Sequence, residues 1–154
     1  SAGYIALWCG IANGAEQILI PEKFDNNYDK LIEEIKNNRA SGMTHQIIVN
    51  AEGIGHSYGL AKKIEEATGI ETRATILGHL QRGGSPTARD RVYASVMGAY
   101  AIDCIEKGKK NRLIGYKEGH VYDVDIEEAF QMTKSIDDYE YEVAGILGTR
   151  CEYK

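Results

Sequence analysis

The sequence predicts an α/β fold, a mainly parallel sheet flanked by helices, and three observations carry that prediction. Short apolar runs of strand length, at 17–20, 46–51 and 72–77, alternate with longer stretches whose apolar residues recur at helical spacing. Nearly every run ends on glycine, asparagine or proline, the residues that stop an element. Of the 154 residues 43% are hydrophobic and 27% charged, an ordinary globular balance that one domain can bury.

The elements follow in order. Residues 4–12 place Ile5, Leu7, Trp8, Cys9 and Ile11 almost all round a helix, which predicts a buried one stopped at Asn13-Gly14. The run 17–20, closed by Pro21, predicts a buried parallel strand. Asp25 or Asn26 is placed to cap a helix carrying Tyr28, Leu31, Ile32 and Ile35 on one face, ending near Ser41-Gly42. A second buried strand covers 46–51, and Ser57 opens a helix through Leu60, Ala61, Ile64 and Ala67 that Gly69 closes. A third strand is predicted over 72–77, then a loop over 78–86 with Pro86 at a helix start. The longest helix runs over 87–107 and Gly108 ends it; a fourth strand over 112–116 and helices over 126–133 and 139–147 complete the chain.

Composition narrows the function. With 23 acidic against 18 basic residues the formal net charge is −5, and no basic stripe appears, so nucleic acid is a poor partner. No apolar run approaches the roughly 20 residues that span a bilayer, and the first residues carry no secretion signal. Cys9, Cys104 and Cys151 show neither pairing nor metal-ligand spacing with histidine, so they read as reduced thiols of a cytoplasmic protein, Cys9 and Cys104 in its core. The chain opens on Ser1-Ala2-Gly3 without an initiator methionine, as a processed product, a fragment or a recombinant piece would.

Right-handed crossovers put the carboxyl ends of parallel strands on one edge, where such sheets bind ligands. Two loops there hold chemistry. In Asn50-Ala51-Glu52-Gly53 a carboxylate follows a buried strand directly, placed either to accept hydrogen bonds from a sugar hydroxyl or to cap a turn as a surface acid. In the segment 71–86, Arg73 opens the third strand while His79 and Arg82 lie beyond its end, among Gly78, Gly83 and Gly84. Two guanidiniums and an imidazole suit a phosphate dianion, glycines let backbone approach it, and the helix start at 85–87 would add its dipole. Arg73, six residues before His79, lies about 20 Å away along an extended chain. It is therefore either a solvated charge or a residue serving a neighbouring subunit's site.

At Gly78-His79-Leu80-Gln81-Arg82-Gly83-Gly84-Ser85-Pro86 the sequence resembles the phosphofructokinase family, at the loop that binds fructose 6-phosphate. The likeness continues through Asp90-Arg91 and Gly98-Ala99-Tyr100-Ala101, and upstream through residues 14–22 and Ala51-Glu52-Gly53. The resemblance implies a three-layer α/β/α protein, a glycolytic kinase that transfers the ATP γ-phosphoryl group to the 1-hydroxyl of fructose 6-phosphate with Mg²⁺. It implies that Glu52 bonds the sugar hydroxyls, that His79, Leu80, Gln81 and Arg82 line the sugar-phosphate site, and that Arg73 reaches the adjacent subunit's 6-phosphate in a homotetramer. Residues 1–86 would form part of the sugar-phosphate lobe and 87–154 would return to the nucleotide lobe.

Departures from the family matter equally. Its Gly-Gly-Asp-Gly-Ser nucleotide motif and Thr-Ile-Asp-Asn-Asp catalytic motif are absent from this sequence, so no catalytic or metal-binding residue is assigned and the chain alone should bind poorly and catalyse negligibly. Gly14, Ala15 and Glu16 resemble part of the family's allosteric effector site. The turn at 39–45 lacks the lysines that would complete it, which puts that regulation in question. Two alternatives stand beside the leading one: a pyrophosphate-dependent phosphofructokinase, against which His79 speaks because many of those enzymes carry tyrosine there, and a non-catalytic sugar-phosphate-binding or assembly module.

Overall fold

The computed structural model describes residues 2–82 and 84–148; the Arg82 side chain lies outside the described part. The chain forms two compact units, the first running to Ile76 and taken up again from Ser135, the second from Leu77 to Lys134. The predicted partition at 86/87 differs at both ends. The second unit begins ten residues earlier, since 77 to 86 is ten positions, and the chain from Ser135 packs back onto the first because its helix finds an apolar face there.

In the first unit, β1 (Gln17–Leu19) and β2 (Ile48–Asn50) pair in parallel with Ile18 opposite Val49. Helices α2 (Tyr28–Ala40) and α3 (Ser57–Thr68) pack Leu31, Ile32, Ile35, Leu60 and Ile64 against Leu19. Helix α1 (Tyr4–Asn13) and α6 (Asp138–Gly148) join Leu7, Ile20, Ala51, Ile136 and Ala144 in a second cluster. Each helix stops where the sequence indicated, with Gly14 and Gly69 both left-handed at φ 69°. Helix α2 is capped one residue later than predicted, by Asn27, whose side chain accepts from the Lys30 N–H.

Three expectations for this unit fail. Helix α1 is not buried all round: Leu7 and Gly10 face inward, but Trp8 is 66% exposed and its indole N–H donates to Glu140 at 3.0 Å. A helix lying on one layer buries one face, whatever the chemistry of the others. Cys9 sits on that outer face, whereas Cys104 is buried as predicted, and Cys151 lies outside the described residues. The predicted third strand, 72–77, forms no ladder, because neither two-stranded sheet among the described residues offers it a partner.

In the second unit, a 3₁₀ turn (His79–Arg82) precedes α4 (Ala88–Glu106), β3 (Arg112–Lys117), β4 (His120–Asp125) and α5 (Ile126–Gln131). The predicted fourth strand is thus one arm of an antiparallel hairpin whose second arm, β4, the apolar pattern did not reveal. Its two-residue turn, Glu118-Gly119, has both φ values positive, at 51° and 87°, the geometry that matches strand twist. Pro86 stands outside α4; Thr87 caps it, accepting from the Asp90 N–H while the Asp90 carboxylate takes the Thr87 N–H at 2.8 Å. Asp123, 6% exposed, ties the unit together by accepting from Tyr100 (2.9 Å), Lys109 (2.8 Å) and Arg112 (2.7 Å).

Candidate functional site

Of the two loops singled out, only 50–53 lies at a carboxyl end of the parallel pair, after β2; the 78–86 loop follows a segment that forms no ladder and belongs to the second unit. After β2 the Ala51 N–H donates to Leu19 O at 2.9 Å and the Ile54 N–H to Ala51 O at 3.0 Å, closing a turn with Glu52 at its tip. Glu52 is exposed and its carboxylate makes no hydrogen bond or ion pair with any described residue. The bland reading, a carboxylate consumed in capping its own turn, does not hold, and both oxygens are free to accept. Asn50 does the local bonding instead: its Nδ2 donates to Gly55 O at 3.0 Å and to Ser57 Oγ at 2.9 Å. Sequence reasoning passed over Asn50, though its position at the last residue of a strand before Ala51-Glu52-Gly53 was the available signal.

Arg73 is 85% exposed, and among the described residues it bonds only Glu71, two residues back, from Nε (2.8 Å) and Nη2 (2.5 Å). His79, Leu80 and Gln81 form the exposed 3₁₀ turn that opens the second unit, in which the Gln81 N–H is shared between Leu77 O and Gly78 O at 3.3 Å each. Arg82 closes that turn, its side chain outside the description, and Gly83 lies outside the described residues. Gly84 takes φ 101°, a conformation that a side chain there would resist. Glu52 and Arg73 thus stand in one unit and residues 79–82 in the other.

One expected contribution is smaller than foreseen. The amino terminus of α4 already carries its own anion: the Thr87 hydroxyl and N–H hold the Asp90 carboxyl below its ordinary range. A second anion at that terminus meets Asp90 repulsion as well as the dipole's attraction. Helix α4 is therefore a weaker anion site than its start at 85–87 suggested.

The three residues likened to an effector site have structural work. Gly14 ends α1, Ala15 is buried, and the Glu16 carboxylate accepts from the Ile47 N–H at 2.6 Å, fixing the entry of β2 beside β1. In the turn 39–45, Arg39 donates to the Met43 and Thr44 carbonyls at 3.2 and 3.4 Å, so its charge is turned onto its own loop.

The chain is thus an α/β protein with an exposed carboxylate, unpaired among the described residues, at the end of β2 in one unit and a glycine-flanked turn at 79–82 in the other. A family model described as phosphofructokinase matches residues 1–105. The chain is 53% identical over 148 residues to the ATP-dependent 6-phosphofructokinase 1 of Clostridium perfringens, and 49% identical over 147 residues to an ATP-dependent 6-phosphofructokinase of Clostridium botulinum. Each match takes in 96% of this chain and 46% of the relative, so the chain spans a little under half the length of the curated relatives it matches. A phosphofructokinase from Pichia pastoris, solved in the T-state, superposes with TM-score 0.69 at 30% identity over 82% of this chain and 15% of its own. One from Saccharomyces cerevisiae gives 0.72 at 24% identity over 99% and 24%, a likeness of fold. This chain belongs to the phosphofructokinase family.

Proposed function

We propose that the protein to which this chain belongs is an ATP-dependent 6-phosphofructokinase, and that this chain supplies the sugar-phosphate side of its active site. The observation that carries the reading is the segment Gly78-His79-Leu80-Gln81-Arg82, a turn exposed at His79, Leu80 and Gln81, in a chain about half identical to enzymes of that name. Glu52, with both carboxylate oxygens free, accepts hydrogen bonds from sugar hydroxyls. His79 and Arg82 hold the 6-phosphate by charge-assisted bonds, and the backbone at Leu80 and Gln81 lines it. These contacts orient the 1-hydroxyl towards the nucleotide's γ-phosphoryl group. Arg73 is exposed and, among the described residues, bonded to Glu71 alone; in this reading it reaches a neighbouring subunit's phosphate in a homotetramer. Glycolysis in the cytoplasm is the setting for that reaction.

A Mg²⁺ ion finds no fit in the part described. Among the described residues no group of three or more His, Cys, Asp or Glu side chains is placed to hold a metal ion, so no step is routed through Mg²⁺ here and no residue is assigned to take the hydroxyl proton. Allosteric control through Gly14, Ala15 and Glu16 is disfavoured by the tie of Glu16 to Ile47, and the ATP-dependent names of the relatives disfavour pyrophosphate as donor.

The test is made on the full-length enzyme. His79→Ala and Arg82→Ala should each raise the KM for fructose 6-phosphate by one to two orders of magnitude, as losing a charge-assisted bond of roughly 1.5–3 kcal/mol requires, with KM for ATP near wild type. An unchanged KM for the sugar phosphate in both variants sinks the reading.

A further inference from the structure

A carboxylate without partners of its own is held only by its backbone, and Glu52 is such a group. Its loop runs from the last residue of β2 to the first of α3, and one side chain joins the two ends. Asn50 Nδ2 donates across the loop to Gly55 O at 3.0 Å and to Ser57 Oγ at 2.9 Å. The loop needs such a tie. Gly55 and His56 both take positive φ, at 74° and 51°, and the left-handed region is unfavourable for a residue with a side chain. The bond from Asn50 to Gly55 O therefore ties the far end of the Glu52 loop back to β2.

The chemistry of the amide is directional. Gly55 O only accepts, so the Asn50 NH₂ must face the loop. The Asn50 Oδ1 is left buried and without a hydrogen-bond partner, an arrangement that costs stability. A residue kept at such a cost has a role other than stability alone. We propose that Asn50 is a positioning residue for substrate: by clamping the 50–57 loop it holds the Glu52 carboxylate where it meets the sugar hydroxyls. This rests on the reading of Glu52 as a sugar ligand.

The experiment is a double-mutant cycle on the full-length enzyme, read as KM for fructose 6-phosphate. Asn50→Asp keeps the volume and removes the donor, setting a carboxylate against the Gly55 carbonyl. It should raise KM roughly tenfold, the size of one lost hydrogen bond, with kcat and the KM for ATP near wild type. Ser57→Ala removes the second bond alone and should raise KM by roughly threefold; it also serves if Asn50→Asp does not fold. Glu52→Gln should raise KM by itself. With Glu52→Gln already in place, adding Asn50→Asp or Ser57→Ala should raise KM no further. Equal factors with and without Glu52→Gln, or no rise from either loop variant, overturn the positioning role. A Glu52→Gln enzyme with unchanged KM overturns the reading beneath it, which separates the two failures.

Discussion

The two units of this chain are held together by different physics. The first buries aliphatic side chains from four helices against a two-stranded parallel ladder, and among its described residues no polar side chain is fully buried. The second buries little besides Cys104 and Val124 and is centred on a single carboxylate, Asp123, that gathers a phenol, an ammonium and a guanidinium. Along α4, Val92, Val96, Ile102 and Ile105 remain exposed. Apolar burial is indifferent to pH and tolerant of exact partners, whereas a polar knot is neither. The contrast can be broken or sharpened by experiment.

The largest effect belongs to the first unit's core. Leu31→Ala should cost about 2–5 kcal/mol in denaturant unfolding followed by exchange at β1 and β2, because the cavity lies between two helices and a strand that cannot all collapse. A loss under 1 kcal/mol there would put the weight of this unit elsewhere. Gly148→Ala comes next: its Cβ would lie 2.6 Å from the Glu16 carbonyl oxygen, so α6 must shift off β1, at roughly 1–3 kcal/mol in the same assay.

Acid should pick out the second unit. Lys109, then Tyr100 and Arg112, hold the Asp123 carboxyl down at about 2, below its ordinary 3.8. A depressed folded-state pKa contributes stability that is complete above 3.8 and disappears as pH falls from there towards 2. Amides of β3 and β4 should then exchange faster in that window while those of β1 and β2 hold steady. Equal acceleration in both sheets would remove the contrast. Asp123→Asn should abolish the difference at every pH. The smallest effect is at the cap of α4, where Thr87→Ala should cost about 1 kcal/mol, read as fraying of the helix's first turn.

How far the sequence disclosed all this depends on whether a feature is local. Gly14, Gly69 and Gly108 mark helix ends by backbone freedom alone, and each stands where its helix stops. The strand over 72–77 was misread because its apolar residues say nothing about a ladder partner, and none is present among the described residues. The β4 arm was missed because His120, Tyr122 and Asp123 make it polar; what holds it is the Asp123 cluster, assembled from residues 23 and 11 positions away in Tyr100 and Arg112. Trp8 and Cys9 show the converse, apolar residues that the fold leaves outside.

The candidate site divides the same way. The strand-end position of Glu52 could be read from residue order, since its loop follows β2 directly, and the His79–Arg82 turn from its flanking glycines, although the strand expected before it does not form. That Glu52 is unpaired, that Glu16 is tied to Ile47 and that Asn50 bridges its own loop are facts of side-chain geometry. No spacing rule supplies them.

The most direct test of the central claim is a crystal structure of the full-length enzyme with fructose 6-phosphate. The 6-phosphate should lie against His79 and Arg82, with Arg73 of the neighbouring subunit completing it and a sugar hydroxyl within 2.6–3.2 Å of Glu52, the ordinary hydrogen-bond range of roughly that span. A sugar phosphate bound away from Glu52 and from the 78–86 loop would contradict the account.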